Sequence, residues 1–104
     1  MGVAMTMTRA ETIATLKASS EQIRKLGATG LYLYGSAARD ELSADSDVDL
    51  FIDYDPNGSF SFIELVRLQA LIGQKLAREV DLTTRNGLHP LLKDEIERSS
   101  IRVL

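Results

Sequence analysis

Apolar residues recur along this chain in two rhythms, and the switch between them predicts the elements. Ile13, Leu16, Ile23 and Leu26 fall at roughly helical spacing. Ahead of them, Thr8-Arg9-Ala10-Glu11 reads as a capping box, in which a hydroxyl and a glutamate serve each other's backbone amides. Gly27 stands where such a helix would stop, so the pattern predicts a helix over about Thr8–Leu26. Leu31-Tyr32-Leu33-Tyr34 then forms a short strand-type run that ends at Gly35-Ser36. Ala37–Leu42 suits a helical turn, and Ser43–Ser46 is polar loop. Val48, Leu50, Ile52 and Tyr54 alternate with Asp47, Asp49, Phe51 and Asp53, a period of two that marks a second strand.

Asp55-Pro56-Asn57-Gly58 is turn chemistry. Ser61-Phe62-Ile63-Glu64 is a second capping box, opening a helix to about Ala77. Phe62, Leu65, Val66, Ile72 and Leu76 are expected to be its buried stripe, with Leu71 on the polar side. Glu79–Thr83 reads as a third strand, Asn86-Gly87 as a turn, and Pro90 as the opening of a last helix to about Arg98. Ile101–Leu104 fits a short edge strand. The order of helix, strand, strand, helix, strand, helix, strand implies an α/β or α+β fold, in one domain spanning residues 1–104. Strands two and three, joined through a helix, form a parallel crossover if they are neighbours.

Composition narrows the chemistry. Twelve basic and fifteen acidic residues leave a net charge of −3, which argues against autonomous nucleic-acid binding. With no cysteine, disulfides and metal–thiolate sites are excluded, and one histidine, His89, cannot make a His-rich metal centre. Nothing approaches the ~20 apolar residues of a membrane helix. The opening residues show no signal-peptide pattern, so a cytoplasmic location is expected. Any chemistry falls largely to carboxylates.

Three features converge on one chemistry. Gly35-Ser36 at a strand end lets backbone approach a ligand closely and offers amides and a hydroxyl to phosphate oxygens. Asp47 and Asp49 are two apart on a strand, so both carboxylates share one face, about 6.6 Å apart along the chain. Such a pair repels unless a cation lies between, and magnesium commonly bridges carboxylates to phosphates. Asp81 points opposite to Val80 and Leu82, and joins the same site if its strand is adjacent. These three aspartates carry a charge equal to that of the whole chain, and bound divalent ions would invert it locally and attract a triphosphate.

Gly35-Ser36 followed at this spacing by Asp47-Val48-Asp49 resembles the nucleotidyltransferase signature of the DNA polymerase β superfamily. The segments YLYGSAARDELSADSDVDLFIDYDP, EVDLTT and GLHPLLKDEIERSSIRVL are together similar to the minimal nucleotidyltransferases, over roughly Leu31–Leu104. The resemblance implies a small mixed sheet with helices packed on it. It implies two Mg2+ ions held by Asp47 and Asp49, with Asp81 completing the site and helping to activate the attacking hydroxyl. Gly35 and Ser36 would hold the phosphates of ATP or another nucleoside triphosphate, and Arg39 would reach the triphosphate. Transfer of AMP or another nucleoside monophosphate would follow, with pyrophosphate leaving. Many minimal members resemble antitoxins that AMPylate a tyrosine of a HEPN-type toxin, which implies a hetero-oligomer. The alternatives are a catalytically silent binding antitoxin, or a transferase acting on RNA or a small hydroxylated compound.

Other matches weigh less. Asp53, Asp55, Asn57, Ser61 and Glu64 satisfy the EF-hand spacing, but the entering segment reads as a strand and Pro56 suits such a loop poorly. Asp53, about 13 Å beyond Asp49 along an extended strand, reads as the strand exit. Met1–Thr6 fits an N-myristoylation pattern, and Asn57-Gly58-Ser59 a glycosylation sequon; both are short enough to match by chance. Tyr32 and Tyr34 read as sheet packing, and His89 as a helix start.

Overall fold

The computed structural model describes residues 7–104, so the myristoylation pattern at Met1–Thr6 lies outside the described residues. The elements are α1 (Arg9–Ala18), α2 (Ser20–Lys25), β1 (Ala28–Tyr34), β2 (Val48–Tyr54), α3 (Phe62–Leu76), β3 (Val80–Thr84), a 3-10 turn (Arg85–Gly87), α4 (Lys93–Ser99) and β4 (Ile101–Arg102). The sheet is mixed and four-stranded, in the order β3-β2-β1-β4. β1 is antiparallel to both β2 and β4, while β2 and β3 run parallel, as a helix-linked strand pair allows.

Alternation along the strands divides the sheet into two faces. Leu31, Leu33, Val48, Leu50 and Ile52 are fully buried on the face that carries the helices. Leu16 of α1, Ile23 of α2 and Leu68, Ile72 and Leu76 of α3 complete that core. Each fully buried aliphatic side chain contributes on the order of 1.5–3 kcal/mol of transfer free energy.

Both capping boxes form. Thr8 Oγ accepts from the Glu11 amide at 3.1 Å, and the Glu11 carboxylate accepts from the Thr8 amide at 2.9 Å. Glu64 accepts from the Ser61 amide and hydroxyl at 2.9 and 2.8 Å.

Three expectations need correcting. Pro90 does not open the last helix: it lies in a turn closed by the Leu92 N–H on the His89 carbonyl at 2.9 Å, and α4 begins at Lys93. The segment Thr8–Leu26 is not one helix, because Ser19 ends α1 and precedes α2, its N–H turned back onto the carbonyls of Leu16 and Lys17. Serine competes for backbone hydrogen bonds and so favours such a break. The stripe on α3 is also rotated. Leu68, Ile72 and Leu76 are buried, Leu65 and Leu71 pack partly against the core, and Phe62 and Val66 are exposed. The spacing i, i+4, i+8 that runs from Leu68 through Ile72 to Leu76 sets the phase, so Leu71 flanks the buried stripe instead of lying on the polar side.

Among the described residues, no helix is long and apolar enough to cross a membrane.

Candidate active site

The second sheet face carries the candidate site. Register places Tyr34 opposite Asp49 and Asp49 opposite Asp81, so β1, β2 and β3 present one row of side chains at one end of the sheet. Asp47 lies just before β2 at the same end. Val80 and Leu82 are buried in the core while Asp81 between them is exposed, because strand neighbours point to opposite faces.

Gly35 explains how Asp49 fits. Its φ of 70° lies in the left-handed region, and a Cβ there would sit 2.6 Å from Asp49 Oδ2. A side chain would therefore be strained by the backbone and would also strike the carboxylate. Gly35 and Ser36 open the turn from β1. Arg39 donates its backbone N–H to the Gly35 carbonyl at 3.3 Å, and Glu41 donates its own to the Ser36 carbonyl at 2.8 Å. Arg9 of α1 pins the same loop, with its N–H on Asp40 Oδ1 at 2.8 Å and its guanidinium on the Ala38 carbonyl at 3.1 Å.

Electrostatics mark this end of the sheet as uncompensated. Burial, then the charges of Asp81 and Asp47, push the Asp49 carboxyl above its ordinary range. Burial, Asp49 and Asp81 push the Tyr34 phenol up to about 12. Both shifts have the sign expected where negative charge is crowded without a counter-ion. Among the described residues the carboxylates are not drawn into a tight group of three or more metal-ligating side chains. Of the three aspartates, Asp47 lines an open cleft of about 910 Å³, together with Ser46, Arg78 and Glu79, while Asp49 and Asp81 do not. Arg39 is exposed, and its Nε donates to Glu41 at 2.7 Å, so it stands apart from the three aspartates.

The EF-hand spacing is absorbed by other bonds. Asp53 accepts two hydrogen bonds from Arg85, at 2.8 and 2.9 Å, Asp55 accepts from the Asn57 amide at 2.9 Å, and Glu64 caps α3. His89 is exposed, and its Nδ1 accepts from the Leu91 amide at 3.2 Å, a local turn bond.

Arg85 is the residue whose role sequence reasoning missed. Its guanidinium lies 4.8 Å from the Tyr32 ring centre and 5.0 Å from that of Phe51, and it also reaches Glu97 of α4 at 2.5 Å. Tyr32 stacks on Phe51 at 4.7 Å, as sheet packing predicts for that tyrosine. Phe51 is fully buried although it shares the face of Asp49 and Asp53. The only sequence signal was a large aromatic at a position the alternation assigns to the polar face.

Comparison with known proteins bears on the family and the fold. A family profile described as "Nucleotidyltransferase domain" matches residues 16–103. A Methanocaldococcus jannaschii relative, provisionally named a protein adenylyltransferase, is 38% identical over 80 residues, covering 77% of this chain and 84% of its own length. A second from the same organism, named likewise, is 34% identical over 89 residues, covering 84% and 88%. A solved structure provisionally described as a minimal nucleotidyltransferase superposes with a TM-score of 0.70 at 29% identity, covering 86% of this chain and 93% of that one. The fold is shared with the complex of a tri-AMPylated Shewanella oneidensis HEPN toxin and its MNT antitoxin, at a TM-score of 0.61, 15% identity, and coverage of 88% and 71%.

Proposed function

Since this chain belongs to the nucleotidyltransferase domain family, we propose that it transfers AMP from ATP to a hydroxyl of a partner protein, in the cytoplasm, as a single domain spanning residues 1–104. The observation that carries the reading is the facing pair Asp49 and Asp81, with Asp47 beside them and Gly35 leaving room for the Asp49 carboxylate.

The donor set fits a divalent cation. Three hard carboxylate oxygen donors share one sheet end, and burial, followed by the charges of Asp81 and Asp47, raises the Asp49 pKa, a cost that a cation would offset. Asp47, Asp49 and Asp81 would hold Mg2+, two ions in our reading, which when bound supply positive charge at the phosphate oxygens.

The chain's own residues do the rest. Gly35 lets the backbone come close to the triphosphate, and the Ser36 amide and hydroxyl donate to its oxygens. Arg39 reaches the triphosphate only by leaving Glu41, an exposed pair that costs about 0–1 kcal/mol to break. The acceptor hydroxyl oxygen attacks the α-phosphorus in line. Its proton passes to the Asp81 carboxylate, and the bond from the α-phosphorus to the pyrophosphate oxygen breaks. Positioning supplies much of the rate in such a transfer.

A protein acceptor is supported by the names of relatives at 34–38% identity. The shared fold of the MNT–HEPN complex makes a HEPN-type toxin tyrosine the first acceptor to test, with a hetero-oligomer as the working assembly. The experiment incubates the chain with α-labelled ATP, Mg2+ and the protein encoded beside it. Label on a tyrosine of the neighbour supports the reading. Transfer that persists undiminished in Asp47→Asn or Asp49→Asn contradicts it.

A further inference from the structure

Arg78 sits in the short connection between α3 and β3, three residues before Asp81. Ala77 closes α3 in the left-handed conformation, with φ at 53°, and the Arg78 N–H returns to the Gly73 carbonyl at 3.2 Å. That bend aims the side chain across to the loop before β2. One terminal nitrogen of Arg78 donates to the carbonyls of both Ser43 and Ser46, the latter at 2.6 Å. Ser46 immediately precedes Asp47.

The loop is also tied within itself. The Ser46 N–H donates to the Ser43 carbonyl at 3.2 Å, and the two hydroxyls lie 2.7 Å apart. Arg78 shares its cleft with Glu11, Asp45, Asp47 and Glu79. Yet among the ion pairs of the described residues, none involves Arg78. A cation surrounded by carboxylates that spends its donors on two backbone carbonyls acts on the path of the chain. The forked guanidinium is suited to this, since one planar group can meet two acceptors.

We propose that Arg78 is a positioning residue: by bridging the Ser43 and Ser46 carbonyls it ties the segment that presents Asp47 to the segment that presents Asp81, and so sets the site's affinity for a divalent cation. The proposal rests on the metal-holding role given above to these aspartates. Residues that orient metal ligands typically cost about 10–100-fold in metal affinity when removed.

The test uses the full chain with Mn2+ as probe. Arg78→Met keeps the stem and removes the donors, Arg78→Lys keeps the charge, and Asp49→Asn serves as reference. Arg78→Met is expected to bind Mn2+ about tenfold more weakly. Amide hydrogen exchange should quicken over residues 43–48 and stay unchanged over 68–76 of α3. Methylguanidinium added to Arg78→Met should recover part of the affinity, which a merely structural role would not produce. Should Arg78→Met fail to fold, Arg78→Lys decides, because a single ammonium is expected to leave affinity below wild type. Wild-type affinity in either folded variant overturns the positioning role alone. Absence of Mn2+ binding in the wild type overturns the metal reading with it, and exchange over 43–48 then reports separately on the loop tie.

Discussion

The two ends of β2 present acidic side chains on the same sheet face and treat them in opposite ways. At one end Asp49 faces Asp81 with Asp47 alongside, and the carboxyl is pushed up by burial and like charge. At the other end Asp53 is held below its ordinary range, first by its hydrogen bonds to Arg85 and despite its partial burial. Arg85 is itself raised above its usual value by Asp53 and Glu97. One end carries its counter-ion in the sequence, and the other does not. Where a carboxylate joins elements together, a guanidinium completes it. Asp47, Asp49 and Asp81 enter none of the ion pairs of the described residues, so the like charge at their end is left without a cationic side chain.

Breaking the acidic end should have the largest effect. Gly35→Ala places a methyl group against the Asp49 carboxylate and forces alanine into left-handed backbone. Misplacement of this size costs on the order of a hundredfold in transfer, with about 1–2 kcal/mol of stability lost to the backbone strain. Steady-state AMP transfer and urea unfolding would measure the two. Gly30→Ala sharpens the contrast, because Gly30 lies near Asp53 with no positive φ, and a Cβ there would meet Tyr32 Cε1 at 3.2 Å. We expect it to leave transfer unchanged.

Breaking the compensated end comes next. Arg85→Met would strand Asp53 and Glu97 and uncover Phe51. The side chains are about one-third exposed, so solvent screening reduces the several kcal/mol of a buried pair to about 2 kcal/mol. Urea unfolding should show that loss, and Mn2+ binding should stay at wild-type strength.

The smallest effect is in pH dependence, where the ends should differ in sign. Asp53 has a lowered folded pKa, so its contribution is present above the ordinary carboxylate value of about 4 and is lost as pH falls through the folded value. Asp49 has a raised folded pKa, so its contribution is present below about 4 and is lost as pH rises through the folded value. Asp53→Asn should therefore destabilise at neutral pH and flatten the decline in acid. Asp49→Asn should stabilise at neutral pH and lose that advantage below about pH 4. Thermal melts from pH 3 to 7 would separate them.

Much of the acidic end was legible in the sequence. The period of two placed Asp47 and Asp49 together, and the helix between β2 and β3 made a parallel neighbour of the strand bearing Asp81. The compensated end was not legible, because Arg85 lies in a 3-10 turn past the end of β3 and reaches back over two aromatics from other strands. No periodicity encodes such a long side chain folding over a sheet. The phase of α3 was ambiguous for a different reason. Phe62, Ile63, Leu65, Val66, Leu68, Leu71 and Ile72 surround most of the helix, and only packing selects the line through Leu68, Ile72 and Leu76 as its buried stripe. The break at Ser19 was hidden because Ser19-Ser20 interrupts a spacing that otherwise continues to Leu26.

The central claim is that Asp47, Asp49 and Asp81 together hold a divalent cation with its nucleotide. The most direct measurement titrates Mn2+ with a non-hydrolysable ATP analogue into the wild-type chain, Asp49→Asn and Asp81→Asn. The account predicts saturable binding in the wild type and at least about a tenfold loss in each variant, with the fold retained. Equal affinity in all three would contradict it.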